Sequence, residues 1–376
     1  MSSFEDICGQ ENIKTYLTEA ISTGKLSHAY IFNGESGSGK KLLADAFAET
    51  LQCEHVEELV KSGNAKAEDI KPCGKCHSCI QAEAGSNPDI IRISYDADAK
   101  KSIGVDDIRE KLINDIVIKP YEYDRKVYIV EDAQAVYAPT AARFKIYMID
   151  EVHMLTSQAF NAMLKTLEEP PEYAVIILLA TNADILLDTI RSRCVVIDME
   201  DVPGELMKTY LQEHFPDKSE SEIEFAVIFA DGKLGRATDY LSNADMEELK
   251  DSVIRFVKKV PDMALYETMT QLRELDSYKI NRLEDYLDIL QLWYRDVLMF
   301  KSTRDMNSLV FKSEITDISR QAQNASYEGL NKIIEGVEVI KLRLAANVNF
   351  DIAAELFLIT IHEGMVNCLS EAHERD

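Results

Sequence analysis

The stretch Gly34-Glu35-Ser36-Gly37-Ser38-Gly39-Lys40-Lys41 constrains this chain more than any other. It follows an apolar run, His28-Ala29-Tyr30-Ile31-Phe32-Asn33, that reads as a buried strand. It precedes Leu42 to Leu51, where Leu43, Phe47 and Leu51 recur every four residues as on a helix face. Strand, glycine-rich turn and helix form the context of a phosphate-binding loop. Gly34, Gly37 and Gly39 let backbone N–H groups, Ser38's among them, close around phosphate oxygens, and Lys40 reaches the outer phosphates. The pattern asks for Ser or Thr after the lysine, to hold Mg²⁺, and here that position is Lys41. A second ammonium attracts phosphate but ligates no cation. The loop therefore predicts a site for ATP or ADP, with Mg²⁺ and hydrolysis in doubt. The alternative is a glycine turn with a chance lysine, which the flanking strand and helix argue against.

Net charge is −25, from 41 basic and 66 acidic side chains, which disfavours a broad nucleic-acid footprint. The longest apolar run, near Ala174 to Ala180, is far short of the roughly 20 residues of a membrane span. Met-Ser-Ser-Phe-Glu-Asp lacks the basic and apolar regions of a signal peptide, so a cytoplasmic protein with reduced cysteines is expected.

Phe4 to Gly24 is helical in pattern, with Ile13, Leu17 and Ile21 in register. After the helix that ends near Cys53, residues Glu54 to Lys71 show no clear period. Then comes Pro72-Cys73-Gly74-Lys75-Cys76-His77-Ser78-Cys79. Cys73, Cys76 and Cys79 with Cys53 make four thiolates for a tetrahedral structural Zn²⁺, in a module of about residues 53–80. His77 is the alternative fourth ligand, placed awkwardly between two others, and a redox pair is the competing reading.

Asp89 to Ile93 reads as a strand, and Val105 to Ile116 as an amphipathic helix. Two apolar runs then end in acids: Lys126 to Val130 before Glu131 and Asp132, and Lys145 to Ile149 before Asp150 and Glu151. Each resembles the strand that presents a metal-orienting Asp and a water-activating Glu beside the phosphates. The dozen or so residues between them are near the lower limit of a parallel crossover, so the two are not expected to be neighbouring strands. The second run leads into a clear helix, Ser157 to Glu169. This favours Asp150 and Glu151 as the functional pair and displaces the first run to an edge or a loose insertion. Tyr173 to Ala180 is another strand, and the following Thr181-Asn182 can reach a terminal phosphate through Asn182. A short helix, Leu186 to Ile190, and Arg191-Ser192-Arg193-Cys194 lead into the strand Val195 to Asp198. Strands alternating with helices over residues 28–198 predict a mostly parallel α/β sheet.

After Pro203 the pattern is helical throughout. Leu206 to Phe215, Ser221 to Ala230, and a helix starting at Gly232-Lys233-Leu234-Gly235-Arg236 precede an all-helical stretch in which Trp293 reads as core or subunit interface.

These segments together resemble the bacterial replicative clamp-loader group of the AAA+ superfamily. The resemblance rests on Gly9-Gln10, His28 to Lys41, the cysteine module, Val105 to Ile116, Ile149 to Leu155, Lys165 to Pro171 and Ser192-Arg193-Cys194. It implies an AAA+ P-loop domain over 1–200, with the zinc insertion, a helical lid over 201–245 and an oligomerising helical collar over 246–376. It also implies that Arg193 is an arginine finger acting in trans on the ATP of a neighbouring subunit. The implied partners are gamma/tau and delta subunits, with the sliding clamp and primer–template DNA reached through the complex. Lys41, Gly235 at the expected second-sensor position with Arg236 one residue late, and the lack of a long C-terminal tail favour a delta-prime-like stator. Ile149 to Leu155 is more like a gamma/tau motor, which is the alternative reading.

Overall fold

The computed structural model describes residues 3–63, 65–87, 89–93, 126–130, 168, 174–186, 188–262, 282–345 and 348–370. It divides into two compact units. One comprises Met1–His214 with Ala230–Arg236, and the other Phe215–Phe229 with Ala237–Asp376. The segment expected as a lid is shared between them.

The first unit is built on a five-stranded parallel sheet. Its elements in chain order are α1 (Glu11–Ser22), β1 (Ala29–Asn33), α2 (Lys40–Leu51), α3 (Glu54–Lys61), α4 (His77–Glu83), β2 (Ile90–Ile93), β3 (Lys126–Val130), β4 (Ala174–Ala180), α5 (Asp188–Arg191), β5 (Val195–Asp198) and α6 (Gly204–His214). The strand order is β2-β3-β4-β1-β5, and every pairing is parallel. All seven residues of β4 are buried, as are Ala29 to Phe32 of β1, so neither strand alternates. Continuous apolar runs of this kind mark strands covered on both faces. Phe47 of α2 meets the Tyr30 ring edge-on, with centroids 5.2 Å apart, which seats the helix after the loop on the sheet.

Three expectations change. Phe4 to Gly24 is not one helix: a 3₁₀ turn, Phe4–Asp6, is separated from α1 by Gly9 and Gln10, both at left-handed φ (71° and 61°). Gln10 tolerates this because its side chain exchanges two hydrogen bonds with the backbone of Glu200. Glu54–Lys61, read as aperiodic, is α3. Lys126 to Val130 is not displaced: it is β3, inside the sheet between β2 and β4, with Val130 paired to Leu178. Long-range pairing register, which crossover length does not reveal, decides that placement. The second run, the helices Val105 to Ile116 and Ser157 to Glu169 apart from Glu168, and the acids Glu131, Asp132, Asp150 and Glu151 lie outside the described residues.

The second unit is helical among the described residues. It contains α7 (Glu220–Ala230), all but its last residue, the later turns of α8 (Leu234–Ser242), α9 (Ala244–Lys259), α10 (Leu283–Thr303), α11 (Ile315–Asn324), α12 (Tyr327–Ala345) and α13 (Phe350–Ser370). Trp293 of α10 is fully buried and core, as expected for one of its two readings. Its Nε1 donates to Gln321 Oε1 at 3.0 Å, and Gln321 Nε2 donates to the Val257 carbonyl at 2.8 Å, linking α9, α10 and α11. A Cβ on Gly364 would stand 2.7 Å from the Gly329 carbonyl oxygen, so only glycine lets α12 and α13 approach this closely.

Candidate functional site: phosphate loop, cysteine cluster and Arg193

β1, between β4 and β5, ends at Asn33, and the chain turns there into the loop. Gly34 N donates to the Ala180 carbonyl at the end of β4, which fixes the loop's entry. Gly37 and Gly39 hold φ of 80° and 93°, values that side chains rarely adopt, and Gly39 stands at the start of α2. The local sequence thus bends the backbone around the helix N-terminus, where the helix dipole favours an anion. Lys40 is 7% exposed, and its ammonium donates to the carbonyls of Gly34 and of Glu35 (2.8 Å to the latter). Ser38 Oγ is buried without a hydrogen-bond partner. Lys41 follows on the exposed side of the first turn of α2.

A segment far along the chain grips this loop. Gly235 N donates to the Gly37 carbonyl at 2.8 Å. A Cβ at Gly37 would stand 2.8 Å from Cγ of Arg236, so Arg236 lies directly on the loop. Lys233, nearly buried, sets its Nζ 3.2 Å from Glu35 Oε2, with Asp201 and Asp231 carboxylates each at 3.8 Å. The sequence places an arginine here but gives no sign of the Lys233–Glu35 pair.

At the sheet's rim, Asn33 Nδ2 donates to Asp198 Oδ1 at 2.7 Å, and its Oδ1 accepts from Ala183 N at 2.8 Å. Asn182 Oδ1 accepts from Asp184 N at 2.9 Å and so caps the 3₁₀ turn Ala183–Ile185. Arg193 follows α5. Its Nη2 donates to Glu168 Oε1 at 2.7 Å and its Nη1 to the Thr189 carbonyl at 2.7 Å. The guanidinium is 33% and Glu168 50% exposed, so the pair contributes under about 1 kcal/mol and holds the arginine only loosely. The acid Asp188 is engaged by Arg191 rather than by Arg193.

The four expected cysteines converge. The sulfur atoms of Cys53, Cys73, Cys76 and Cys79 all lie within 4.8 Å of one another. Backbone N–H groups of Cys73, Cys76 and Cys79 donate to the sulfurs of Cys53, Cys73 and Cys76 at 3.3, 3.4 and 3.4 Å. Such donors stabilise thiolates. Burial pushes the Cys53 and Cys79 thiols up. It also raises Cys73, but hydrogen bonds from Lys75 and Cys76 outweigh it and bring that thiol down to about 6. Four converging sulfurs, two buried and two half-buried, fit a metal ion. His77 lies outside the cluster, with its ring Nε2 3.3 Å from Gln81 Nε2.

A buried polar chain ties this module to the sheet, and sequence reasoning missed it. Asn87 Nδ2 donates to Ser78 Oγ, and Asp89 N donates to Asn87 Oδ1. The Asp89 carbonyl accepts from Gln52 Nε2 and from Val127 N of β3.

Residues 9–141 and 134–203 match the family model described as DNA polymerase III, delta subunit, and residues 265–363 match the one described as its C terminal. The first two stretches overlap at 134–141, between the two acid-ended runs, so each run falls in its own stretch. DNA polymerase III subunit tau of Bacillus subtilis is 29% identical over 390 residues, covering 96% of this chain and 62% of the relative. The tau subunit of Escherichia coli is 34% identical over 247 residues, covering 64% and 33%. The chain thus spans under two thirds of the length of either relative. A gamma subunit-related protein of Thermotoga maritima, solved by crystallography, superposes with a TM-score of 0.40 at 21% identity, covering 94% of this chain and 99% of that one. Since the delta-subunit model is matched by more than half of the 376 residues, and its C-terminal counterpart by a further stretch, the chain belongs to the DNA polymerase III delta-subunit-type clamp-loader family.

Proposed function

We propose that this chain is a delta-prime-like stator of a clamp loader, within the AAA+ superfamily. It holds a nucleotide at Gly34 to Lys41 without turning it over, and it supplies Arg193 to the ATP site of an adjacent gamma/tau subunit. A delta subunit completes the hetero-oligomer, and the helical second unit assembles it. The complex, in the cytoplasm, loads the sliding clamp on primed DNA as part of the polymerase III holoenzyme. Zn²⁺ at Cys53, Cys73, Cys76 and Cys79 is structural, since nothing in the cluster is arranged to activate a water. Asn182 and one of the acid pairs, Asp150 with Glu151 or Glu131 with Asp132, line the phosphate end of the site. β3's place in the sheet now supports the Glu131–Asp132 pair.

The observation that supports this reading is a glycine turn, with Gly37 and Gly39 at left-handed φ, whose helix begins Lys40-Lys41. A working motor needs a hydroxyl at the second position to hold Mg²⁺ against the β- and γ-phosphates. A loop with an ammonium there binds phosphate and lacks that ligand. The alternative, a gamma/tau-type motor, is favoured by the curated relatives, which are tau and gamma subunits. ATP turnover by the purified chain separates the two. Turnover far below about 1 s⁻¹, the low end of working enzymes, is expected of a stator. A rate near that value, rising with Mg²⁺, supports the motor.

A further inference from the structure

Four cationic side chains stand on or beside the phosphate loop. The whole molecule carries −25, yet Lys40, Lys41, Lys233 and Arg236 gather at this one turn. Their surroundings differ. Lys233 is met by Glu35, Asp201 and Asp231, and it draws the loop's own carboxylate to itself. Lys40 is held by two carbonyls at the closed end of the loop. The Gly37 carbonyl is taken up by Gly235 N–H, so that dipole is not directed at an incoming phosphate. Ser38 Oγ is buried and unpartnered, on the Gly34 side of the loop. Lys41 stands in the first turn of α2, where a magnesium-binding loop carries its hydroxyl ligand. An ammonium there repels a divalent cation and supplies no oxygen to it. It also delivers, on the chain itself, the positive charge that a di- or triphosphate otherwise draws from the metal.

We propose that the loop binds a nucleoside di- or triphosphate free of Mg²⁺, with the Lys41 ammonium in place of the metal's charge. This rests on the reading of Gly34 to Lys41 as a nucleotide site. Binding then needs no metal, and magnesium, which sequesters the free nucleotide, gives no gain.

The test is a fluorescence titration of the full chain with N-methylanthraniloyl-ADP. One arm contains magnesium. The other uses buffer freed of divalent cations on a resin, so that the cysteine cluster meets no soluble chelator. The unmodified chain is expected to bind at least as tightly in the magnesium-free arm as in the arm with magnesium. Lys41→Gln, which removes the charge, should weaken binding about ten-fold in the magnesium-free arm, the scale of one charge-assisted hydrogen bond. Lys41→Thr should weaken it similarly there and recover when magnesium is added. Circular dichroism confirms that both variants, altered at an exposed position, are folded. An unmodified chain that binds ten-fold more weakly without magnesium overturns the proposal and leaves the nucleotide site standing. Variants that bind like the unmodified chain in both arms overturn it as well. Absence of binding in both arms removes the nucleotide reading itself, and the proposal with it.

Discussion

Withdrawal of the metal is expected to unfold the cysteine module and loosen the edge of the sheet beside it. Metal analysis of protein purified without chelator should find about one Zn²⁺ per chain. Treatment with chelator, or Cys79→Ser, should then lower the melting temperature by roughly 8–16 °C. That corresponds to about 4 kcal/mol or more, at 2–4 °C per kcal/mol for a unit of this size. The large effect follows from how the module is built. α3 buries only Val56, and α4 only Ser78, Cys79 and Ala82, so neither helix has an apolar face that holds it without the sulfurs. The loss should travel. Ser78 is bonded to Asn87, Asn87 to Asp89, and the Asp89 carbonyl to Val127 N, so hydrogen exchange at Val127 should accelerate when the metal leaves. The pH dependence has a definite sign. Cys53 and Cys79 have raised pKa values in the metal-free fold and are protonated at neutral pH. Zinc must displace those protons, so affinity falls as pH is lowered and rises as it is raised. Rapid alkylation of all four cysteines in protein containing no metal would sink the assignment.

Arg193→Ala is expected to leave folding and assembly intact while depressing DNA-stimulated ATP hydrolysis by the assembled complex. The side chain is partly exposed and rests on Glu168 and the Thr189 carbonyl, so its removal opens no cavity. Its partner Glu168 is half exposed, and a γ-phosphate with developing charge competes well with a screened carboxylate. A finger contributes about 10³- to 10⁵-fold at the site it completes, and less to the total where other sites continue to turn over. Lysine should rescue only in part, because it lacks the planar fork that donates to two oxygens at once. A complex that assembles with the alanine variant and hydrolyses ATP at the unmodified rate would remove the chain's main chemical role.

Legibility in the sequence followed the range of the interaction. β1, β4 and the glycine turn between β1 and α2 were readable because burial on both faces leaves a continuous apolar run, and because left-handed turns select glycine at positions 37 and 39. The cysteine cluster was readable because close spacing lets three sulfurs converge locally; only Cys53 had to be brought from the preceding helix's end. α3 was missed because its exposed face is dense in acids and just one residue is buried. The break before α1 was missed because nothing about Gln10 announces a left-handed conformation; its bonds to Glu200 impose it. β3 was misplaced because crossover length carries no information on which strands pair, and Lys126 to Val130 pairs with β4. Lys233 beside Glu35, and Gly235 against Gly37, are products of tertiary folding, which no periodicity reports.

The stator reading is tested most directly by reconstituting the complex with gamma/tau and delta subunits and carrying Lys40→Ala or Arg193→Ala in this chain alone. On the stator reading, Lys40 serves the loop's own phosphates and Arg193 serves a neighbour's. DNA-stimulated ATP hydrolysis should therefore persist at the unmodified rate with Lys40→Ala and fall with Arg193→Ala. The reverse pattern, hydrolysis lost with Lys40→Ala and retained with Arg193→Ala, would make this chain a motor and contradict the account.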